Sequence, residues 1–408
     1  MSRLEELIEE LCPEGVVYRP LGEVGTFTRG SGLQKKDFAE SGYPCIHYGQ
    51  IYTHYGVWAT ETKSFIDPDL ASRLHRAQPG DLIIATTSEN DEDVCKAVAW
   101  LGEGEVAVSN DACFYHHDLD PKFASYWFQS NGFQDQKNRA ITGTKVRRVS
   151  AESMSKMQIP VPPLLVQQEI VRILDTYVTL KAELKAELKA REHQYVWYRD
   201  RLIENANDEV PWVPLSNLGE FFRGRRFTKK DYVDEGVPAI HYGEIYTSYG
   251  VSADKTLSHV RSDSGLKLRF AQPGDVVLTD VGETVEDVGK AVAWVGANDV
   301  AIHDHCYAFR SMIDPVYASY CMQTSRFVRE KARFVARTKV KTLLIEGFSS
   351  IRIPVPSRDE QGRIVKVLNS FDALVNDLSS GLPAEIAARH QQYEYYRDRL
   401  LSFAELPA

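Results

Sequence analysis

Residues 46–57, IHYGQIYTHYGV, recur with two changes as residues 240–251, IHYGEIYTSYGV. Laying residues 20–162 on residues 214–356 at the same offset, without a gap, gives 61 identities over 143 positions. So long an ungapped match is far outside chance, and each copy is too long to be one layer of a stacked solenoid. The chain is therefore predicted to contain two similar globular domains. Further words repeated at this offset are AQPGD (77–81 and 271–275), KAVAW (96–100 and 290–294) and TKV (144–146 and 338–340).

The composition limits the classes of protein to which the chain can belong. Its 408 residues are too many for one ordinary core, and 43% hydrophobic with 26% charged residues is typical of globular proteins. No stretch approaches the roughly 20 apolar residues that span a bilayer. Residues 1–11 are acidic where a signal peptide would be basic, so we expect a cytoplasmic protein without membrane contact. The net charge of −9 argues against bulk attraction to nucleic acid, so any DNA contact requires local basic patches.

The cysteines do not form a pattern typical of a disulfide framework or a zinc site. None belongs to a CxxC pair, and they are sparse for the length of the chain. We therefore expect reduced thiols, mostly buried, and no bound metal. The cysteines are Cys12, Cys45, Cys95, Cys113, Cys306 and Cys321.

Each half of the chain divides at the sequence Ile-Pro-Val-Pro, which stands at residues 159–162 and 353–356. Upstream, short β-prone runs alternate with Gly, Pro and Asn turns, a pattern typical of a mixed α+β globule. Downstream, helix formers carry apolar residues in steps of three and four. The predicted segments are a first globular domain at 1–162, a first long helix at 163–207, a second globular domain at 208–356 and a second helical region at 357–408.

The apolar seams of the two helical regions predict long amphipathic helices that bury one face. The second region carries four extra residues, and the Gly-Leu-Pro at 381–383 is expected to end one helix and start another with Pro383 in its first turn. The predicted core of the helix pair consists of Ile170, Leu174, Leu184, Leu188, Tyr195, Tyr198, Leu202, Ile364, Leu368, Tyr393, Tyr396 and Leu400.

Two sequence motifs in the first helical region resemble those of a known family. QQEIVRILD at 167–175 comes after the first Ile-Pro-Val-Pro, and QYVWYRDRL at 194–202 closes the region. Together with the order domain, helix, domain, helix, these words resemble the conserved helices of the DNA-specificity subunit of type I restriction–modification enzymes. The tail, with GLPAEI at 381–386 and QYEYYRD at 392–398, is most similar to the IC subfamily. The resemblance covers nearly the whole chain, and its departures are mild.

The resemblance implies an α+β fold in which two similar mixed α/β target-recognition domains are separated and followed by long helices that pair as an antiparallel coiled coil. It also implies a non-catalytic chain without a cofactor of its own. Two methylation subunits carrying S-adenosylmethionine would dock on it, and two motor–nuclease subunits using ATP and Mg²⁺ would complete the restriction complex. Each domain would read one half of a split site in double-stranded DNA. Because the domains are so alike, we expect half-sites that form an interrupted, nearly inverted repeat.

Basic residues recur at equivalent places of the two domains although the chain as a whole is acidic. Seven lie within residues 326–341 against one acid, and a weaker group lies within residues 137–148. Such clusters suit the neutralisation of phosphates, and the alternative is a solvated helix face. Loops at 29–36 and 223–230 combine a turn with forked donors that suit guanine edges, and the alternative is a plain surface turn. The residues that we expect to contact DNA are Arg29, Lys35, Lys36, Thr144, Lys145, Arg147, Arg223, Arg225, Arg226, Lys229, Lys230, Arg337, Thr338, Lys339 and Lys341.

A catalytic role finds no support in the sequence. The duplicated His-Tyr at 47–48 and 241–242 has no further ligand or nucleophile at a useful spacing, and we interpret it as the end of a buried strand. The acids at 92–93 lack the spacing of a nuclease motif, and neither an adenine-binding Asn-Pro-Pro-Tyr tetrad nor a Walker loop occurs. Two competing hypotheses remain. One is a fused enzyme with internal symmetry, and the other is a symmetric two-domain scaffold that does not bind DNA.

Overall fold

The computed structural model describes residues 3–204, 210–262, 267–336, 339–376 and 381–406. The chain folds into two compact units, the first comprising Met1–Glu183 with Ala387–Ala408 and the second comprising Leu184–Ile386. Each unit contains one globular domain of the repeat and segments of both helical regions, so compactness groups the chain differently from the four predicted segments. The predicted fold class of two similar mixed α/β domains with long helices is confirmed.

The globular domain of the first unit is built on two sheets. The central sheet is antiparallel except for its last strand pair, and its middle strands Leu82–Ala85 and Ala97–Trp100 are buried at every residue. Helix Pro121–Gln129 packs on one of these strands and helix Tyr48–Thr53 on the other, which explains why both strands read as continuous apolar runs. The central sheet has the strand order Gly25–Arg29, Ala112–His117, Leu82–Ala85, Ala97–Trp100 and Trp58–Ala59, and the smaller sheet has the order Ser64–Ile66, Tyr43–Ile46, Val106–Val108 and Arg76–Ala77.

The globular domain of the second unit repeats this arrangement strand for strand in its central sheet. Helix Pro315–Cys321 packs on the buried strand Ala291–Trp294, and helix Tyr242–Thr247 packs on Val276–Thr279. The central sheet has the strand order Gly219–Arg223, Cys306–Ser311, Val276–Thr279, Ala291–Trp294 and Ser252–Ala253. The second sheet has the order Tyr232–Val233, Ser258–Val260, Val237–Ile240, Val300–Ile302 and Phe270–Ala271.

A two-stranded ribbon closes each globular domain. Tyr18–Pro20 pairs antiparallel with Gln158–Pro160 in the first unit, and Trp212–Pro214 pairs with Arg352–Pro354 in the second. The Ile-Pro-Val-Pro words therefore mark the point at which the chain leaves the domain beside the strand by which it came in. The remaining short helices are Arg3–Leu11, Leu21–Val24, Pro68–Ala71, Asn131–Ala140, Ala151–Ser155, Leu215–Leu218, Ser325–Lys331 and Ile345–Ser349, with 3₁₀ turns at Lys35–Asp37 and Ala332–Phe334.

The long helices agree with the predicted pattern. The first long helix runs without interruption over Leu164–Glu204, a length of 41 residues. The second region contains two helices, Arg358–Asn376 and Gly381–Leu400. Gly381 has a φ of +69°, a conformation that favours glycine, and Pro383 lies in the first turn of the second of these helices. The predicted break is therefore confirmed.

Helical segments pair in antiparallel fashion within each unit. In the first unit, Lys181 Nζ lies 3.1 Å from His390 Nδ1, and Tyr177 stacks on Tyr396 with ring centroids 5.6 Å apart. Residue numbers thus rise along one segment as they fall along the other. In the second unit, Tyr195 donates a 3.2 Å hydrogen bond to Asp372 and Tyr198 stacks on Phe371 at 5.5 Å. The predicted core residues differ in burial. Tyr198 is exposed, Leu184, Leu188, Leu202, Tyr396 and Leu400 are half-buried, and the buried ones are Ile170, Leu174, Tyr195, Ile364, Leu368 and Tyr393.

A buried glutamine fixes the start of the helical segment to the globular domain of each unit. Gln167 donates from Nε2 to the Pro162 carbonyl at 2.7 Å and accepts from the Asp120 backbone amide at 2.8 Å. Gln361 makes the equivalent two bonds in the second unit, at 2.8 and 2.9 Å. Both side chains are almost fully buried, and the amide nitrogen and the amide oxygen of each have a hydrogen-bond partner.

Segments near the two ends of the chain meet in the first unit. The Val16 amide donates to the Ala404 carbonyl at 2.8 Å, and the Leu406 amide donates to the Val16 carbonyl at 3.0 Å. Leu4, Val16 and Leu401 belong to the same apolar core as the strands of the first central sheet. Two segments that are almost four hundred residues apart in sequence are therefore parts of one domain.

The cysteines agree with the expectation of buried thiols. All six cysteines are free and buried. Among the residues that the structure describes, no helix has the length and hydropathy needed to cross a membrane.

Candidate nucleic-acid interface

The loop after the first strand of the central sheet carries the predicted DNA-contact residues of the first unit. Gly25–Arg29 ends at Arg29, and the chain then turns through a loop whose Leu33 is buried in the core of the smaller sheet. This anchor leaves Lys35 and Lys36 exposed on a single 3₁₀ turn. The sequence therefore produces a loop that is fixed at its base and basic at its surface.

The equivalent loop of the second unit is held more firmly. Phe227 takes the place of Leu33 and is buried. Asp231 accepts from the backbone amide and the hydroxyl of Thr228, at 2.7 and 2.9 Å, and pairs with Arg261 at 2.9 Å. These contacts, the backbone bond above all, lower the pKa of Asp231. The exposed basic residues of this loop are Arg223 at its start, Arg225, Arg226, Lys229 and Lys230.

A glycine comes directly after the arginine at the start of each loop because two backbone segments approach closely there. A Cβ atom on Gly30 would lie 2.1 Å from the Ser109 carbonyl oxygen, and one on Gly224 would lie 2.2 Å from the His303 carbonyl oxygen. No side chain fits in such a space. The Arg-Gly pair thus sets the direction in which the loop leaves the sheet.

The basic segment of the first unit lies beside its loop. Thr144 and Lys145 are exposed, while Arg147 is half-buried and pairs with Asp91 at 2.8 Å. The strand Arg147–Arg148 pairs with Thr87–Ser88, which directly follows a central strand. Arg148 and Arg29 line one cavity of about 410 Å³ together with Thr86, Thr87, Asp111, Cys113 and Thr142. Folding therefore brings together two of the basic groups that the sequence separates by more than a hundred residues.

The basic segment of the second unit occupies the equivalent place. Lys341–Leu343 pairs with Val281–Gly282, and the Leu343 amide donates to the Asp280 carbonyl at 2.7 Å. Lys339 is exposed and Lys341 is half-buried. The predicted contact residues Arg337 and Thr338 lie outside the described residues.

Two lysines that the sequence places in the basic groups are buried, and counting them as phosphate contacts is wrong. Lys137 and Lys331 are 1% and 2% exposed. Lys137 Nζ donates to the Asp91 carbonyl at 2.6 Å, and Lys331 Nζ donates to the Glu286 carbonyl at 2.9 Å. Each lysine therefore holds an acidic loop of its own unit against the domain, and neither is available to DNA.

The buried ammonium of Lys331 makes the stability of the second unit depend on pH. Burial lowers its pKa to about 8, although Glu286 and Asp287 attract the charge. Below pH 8 the folded and unfolded chains are both protonated, and the cost of burying the charge is fully present. Between about pH 8 and 10.5 only the unfolded chain binds the proton, so this lysine makes the free energy of unfolding rise with pH.

We therefore expect Lys331→Met to lose this pH dependence. Urea unfolding of both proteins from pH 7 to 10 should show the wild type gaining up to about 3 kcal/mol relative to the variant, at about 1.36 kcal/mol per pKa unit. Comparing the two proteins cancels the titration of their common tyrosines. A difference that stays constant over this range would contradict the expectation.

Histidines gather beside the loop of the second unit. His241, His303 and His305 line a cavity of about 320 Å³ with Arg226 and Lys229. Burial lowers the pKa of His303 to about 4, and its Nε2 lies 3.0 Å from the carbonyl oxygen of the loop anchor Phe227. Among the described residues, no cluster has the arrangement of a metal site. His303 therefore supports the buried anchor of the loop.

The histidines of the duplicated His-Tyr motif cap short helices. His47 comes after the strand Tyr43–Ile46 and accepts from the Gly49 amide through Nδ1 at 3.2 Å. His241 makes the same contact with Gly243 at 3.1 Å. Both histidines thus stand where a strand passes into a helix, which agrees with the interpretation of a strand end.

Comparison with known proteins assigns this geometry to a family. The family model described as the type I restriction modification DNA specificity domain matches residues 13–191 and again residues 207–388. The chain belongs to the type I restriction–modification specificity family. Each match covers one globular domain and the helical region after it, so the family unit corresponds to one half of this chain.

Named relatives agree with this assignment, and a solved structure has a similar fold. The specificity subunit of the Escherichia coli type I restriction enzyme EcoR124I/EcoR124II is 33% identical over 270 residues, which are 62% of this chain and 65% of that subunit. A putative type I restriction enzyme specificity subunit of Haemophilus influenzae is 26% identical over 274 residues, 65% of this chain and 68% of that one. A chain solved in a study of complex assembly and conformational transition of the type I R-M system has a TM-score of 0.64 and 18% identity, covering 96% of this chain and 98% of that chain. The last likeness concerns the fold alone.

The closing words of this specificity-family chain attach helix to domain. Asp200 accepts from the Ser325 amide at 3.1 Å, and Asp398 accepts from the Asn131 amide at 3.0 Å. In both units the bond caps the first turn of a helix in the globular domain. The neighbouring Arg199 and Arg397 are largely buried and donate to these same carboxylates. Both QYVWYRDRL and QYEYYRD contain this Arg-Asp pair, but the sequence alone does not indicate that it holds the helix to the domain.

Proposed function

We propose that this chain is the DNA sequence-recognition subunit of a type I restriction–modification complex. It reads a bipartite target with its two globular domains and positions methylation and restriction subunits. Membership of the specificity family supports this proposal, as do the names of the relatives. The tail words at 381–398 support placement in the IC subfamily.

The observation that carries the proposal is the repetition of one basic site in both units. In each unit a loop rich in Arg and Lys leaves the first strand of the central sheet, and a basic segment pairs with the short strand that follows a middle strand of that sheet. The chain as a whole has a net charge of −9, so these positive groups are local features. Exposed arginine and lysine on a rigid sheet suit phosphate and guanine contacts.

We propose that partner subunits carry out methylation and DNA cleavage. We propose two methylation subunits that carry S-adenosylmethionine and, in the full complex, motor–nuclease subunits that use ATP and Mg²⁺. The specificity chain itself contributes no catalytic group and no cofactor, and the complex acts in the cytoplasm. The duplication of the chain supports two equal methylation partners, because each half offers the same elements.

The test combines methylation and binding. Cells that express this chain with its methylation partner should acquire one methylated bipartite sequence. Methylome sequencing should find this sequence in those cells and not in cells that express either protein alone. Purified chain should also retain a duplex carrying that sequence in a mobility-shift assay with excess non-specific competitor. Binding that the competitor abolishes, without a methylated motif, would favour the scaffold hypothesis. Methyl transfer by the isolated chain would favour the fused-enzyme hypothesis.

A further inference from the structure

The arginine at the end of the first central strand has two different environments in the two units. In the first unit, Arg29 is exposed, and its Nε donates to the Asn110 carbonyl at 3.0 Å. Among the described residues, neither of its terminal nitrogens has a protein acceptor. Thr86, the neighbour across the cavity, uses its hydroxyl to donate to the Asp111 carbonyl at 2.9 Å. The guanidinium therefore keeps two parallel donors for a ligand.

In the second unit the equivalent arginine is bound by the protein itself. Arg223 Nη2 lies 2.5 Å from Asp280 Oδ2, and Nε donates to the Asp304 carbonyl at 2.6 Å. Asp280, which stands in the place of Thr86, is almost fully buried and also contacts His305 Nδ1 at 3.1 Å. The ring of Tyr307 lies 5.8 Å from the guanidinium carbon, where the first unit has the smaller Cys113. The carboxylate thus holds one terminal nitrogen of Arg223 from the protein side.

This difference bears directly on how a base can be read. Arginine recognises guanine through two parallel N–H donors that meet O6 and N7 in the major groove. The guanidinium is planar and rigid, so an arginine whose Nη2 and Nε are both held by buried protein acceptors cannot turn its terminal edge to meet a base, although Nη2 keeps one N–H. Within the described part of the chain, Arg29 has no protein acceptor at either terminal nitrogen, whereas one terminal nitrogen of Arg223 is held by the carboxylate of Asp280.

We infer that the residue pair Thr86 and Asp280 determines which domain reads a guanine with its strand-end arginine. Threonine in the first unit leaves Arg29 to bind a guanine of one half-site. Aspartate in the second unit withholds Arg223 from the equivalent base of the other half-site. This inference rests on the proposed function and adds a specificity determinant to it.

A consequence is that the two half-sites differ at this one position while resembling each other elsewhere. The expected inverted repeat is then imperfect for a stated reason. The 61 shared positions include both arginines, so similarity of sequence alone would predict the same base in both halves. The distinction comes from the partner of the arginine.

The experiment uses the full chain and a library of duplexes in which both half-sites and the spacer are randomised. Retained duplexes are sequenced for the wild type and for Arg29→Lys, Thr86→Asp and Asp280→Thr. Thr60→Asp is the matched control, because it makes the same change at an exposed position next to the opposite edge strand, where the second copy has Asp254. Thermal melting of each variant verifies that it is folded.

The wild type should prefer guanine at one position of one half-site by roughly 5- to 150-fold, the range of a bidentate pair. Arg29→Lys and Thr86→Asp should reduce this preference to below about threefold and leave the rest of the motif intact, because lysine lacks the fork and aspartate occupies it. Asp280→Thr should create a guanine preference at the equivalent position of the other half-site. Thr60→Asp should select the wild-type motif.

Retention of the guanine preference in Arg29→Lys would overturn the inference. This variant is decisive even if Thr86→Asp does not fold, because Arg29 is exposed and lysine keeps its charge. Selection of a clear motif by the wild type, unchanged in every variant, would overturn the inference while leaving the proposed function standing. Retention of duplexes without any motif would count against the proposed function itself.

Discussion

A variant that lacks Lys185–Leu188 should recognise the same half-site bases across a spacer one base pair shorter. The first long helix contains KAEL twice in tandem, at 181–184 and 185–188, and runs unbroken through both copies. Removing four residues shortens a helix by about 6 Å and turns the part of the helix beyond the deletion by about 40°. One base pair rises about 3.4 Å and turns about 35°, so the length admits one or two base pairs and the rotation favours one.

Methylome sequencing of cells that express the deletion variant with the methylation partner measures the spacer directly. Lys185→Ala is the control, because it removes an exposed side chain of the same segment without changing the length of the helix. That control should keep the wild-type spacer. An active deletion variant with an unchanged spacer would show that the helix does not set the distance between the half-sites.

Gln167→Leu should lower the free energy of unfolding of the first unit by about 2–5 kcal/mol. Leucine fills a similar volume but leaves the Pro162 carbonyl and the Asp120 amide without partners at a buried site. Each unpaired buried group costs about 1–3 kcal/mol. Thermal melting or urea unfolding of the full chain measures the loss.

The neighbouring Gln168 provides the matched control. It is exposed, and the second copy has Gly362 in its place. Gln168→Leu should change the free energy of unfolding by no more than about 0.5 kcal/mol. Equal losses in the two variants would mean that the bonds of Gln167 are not responsible for fixing the helix to the domain.

The repeat, the Pro-rich divisions and the long helices could be predicted because each depends on local composition or on identity at a constant offset. The break at Gly381 was also predictable, since it results from four extra residues and a proline. The grouping of the chain into two compact units could not be predicted. The contact of Val16 with Ala404 joins positions that no local pattern connects, so the linear segments assigned the end of the chain to a region of its own.

At the candidate interface, the positions of the basic residues were predicted more accurately than their exposure. Lys331 lies four residues after the buried Phe327, and Lys137 stands in the same relation to Phe133. Residues four apart share one face of a helix, so this spacing was a signal of burial that the count of basic residues ignored. The contact of Arg223 with Asp280 had no signal of this kind, because the two residues are 57 positions apart and meet only through the sheet.

The meeting of the chain ends has a consequence for synthesis on the ribosome. Domains near the N-terminus generally fold while the rest of the chain is still being made. Here the first unit needs Ala387–Ala408, so Leu184–Ile386 completes its unit earlier. At about 5–20 residues per second, the first half waits roughly 10–45 s for its last helical segment. During that wait, the apolar surface that later receives Tyr393 and Leu401 is uncovered.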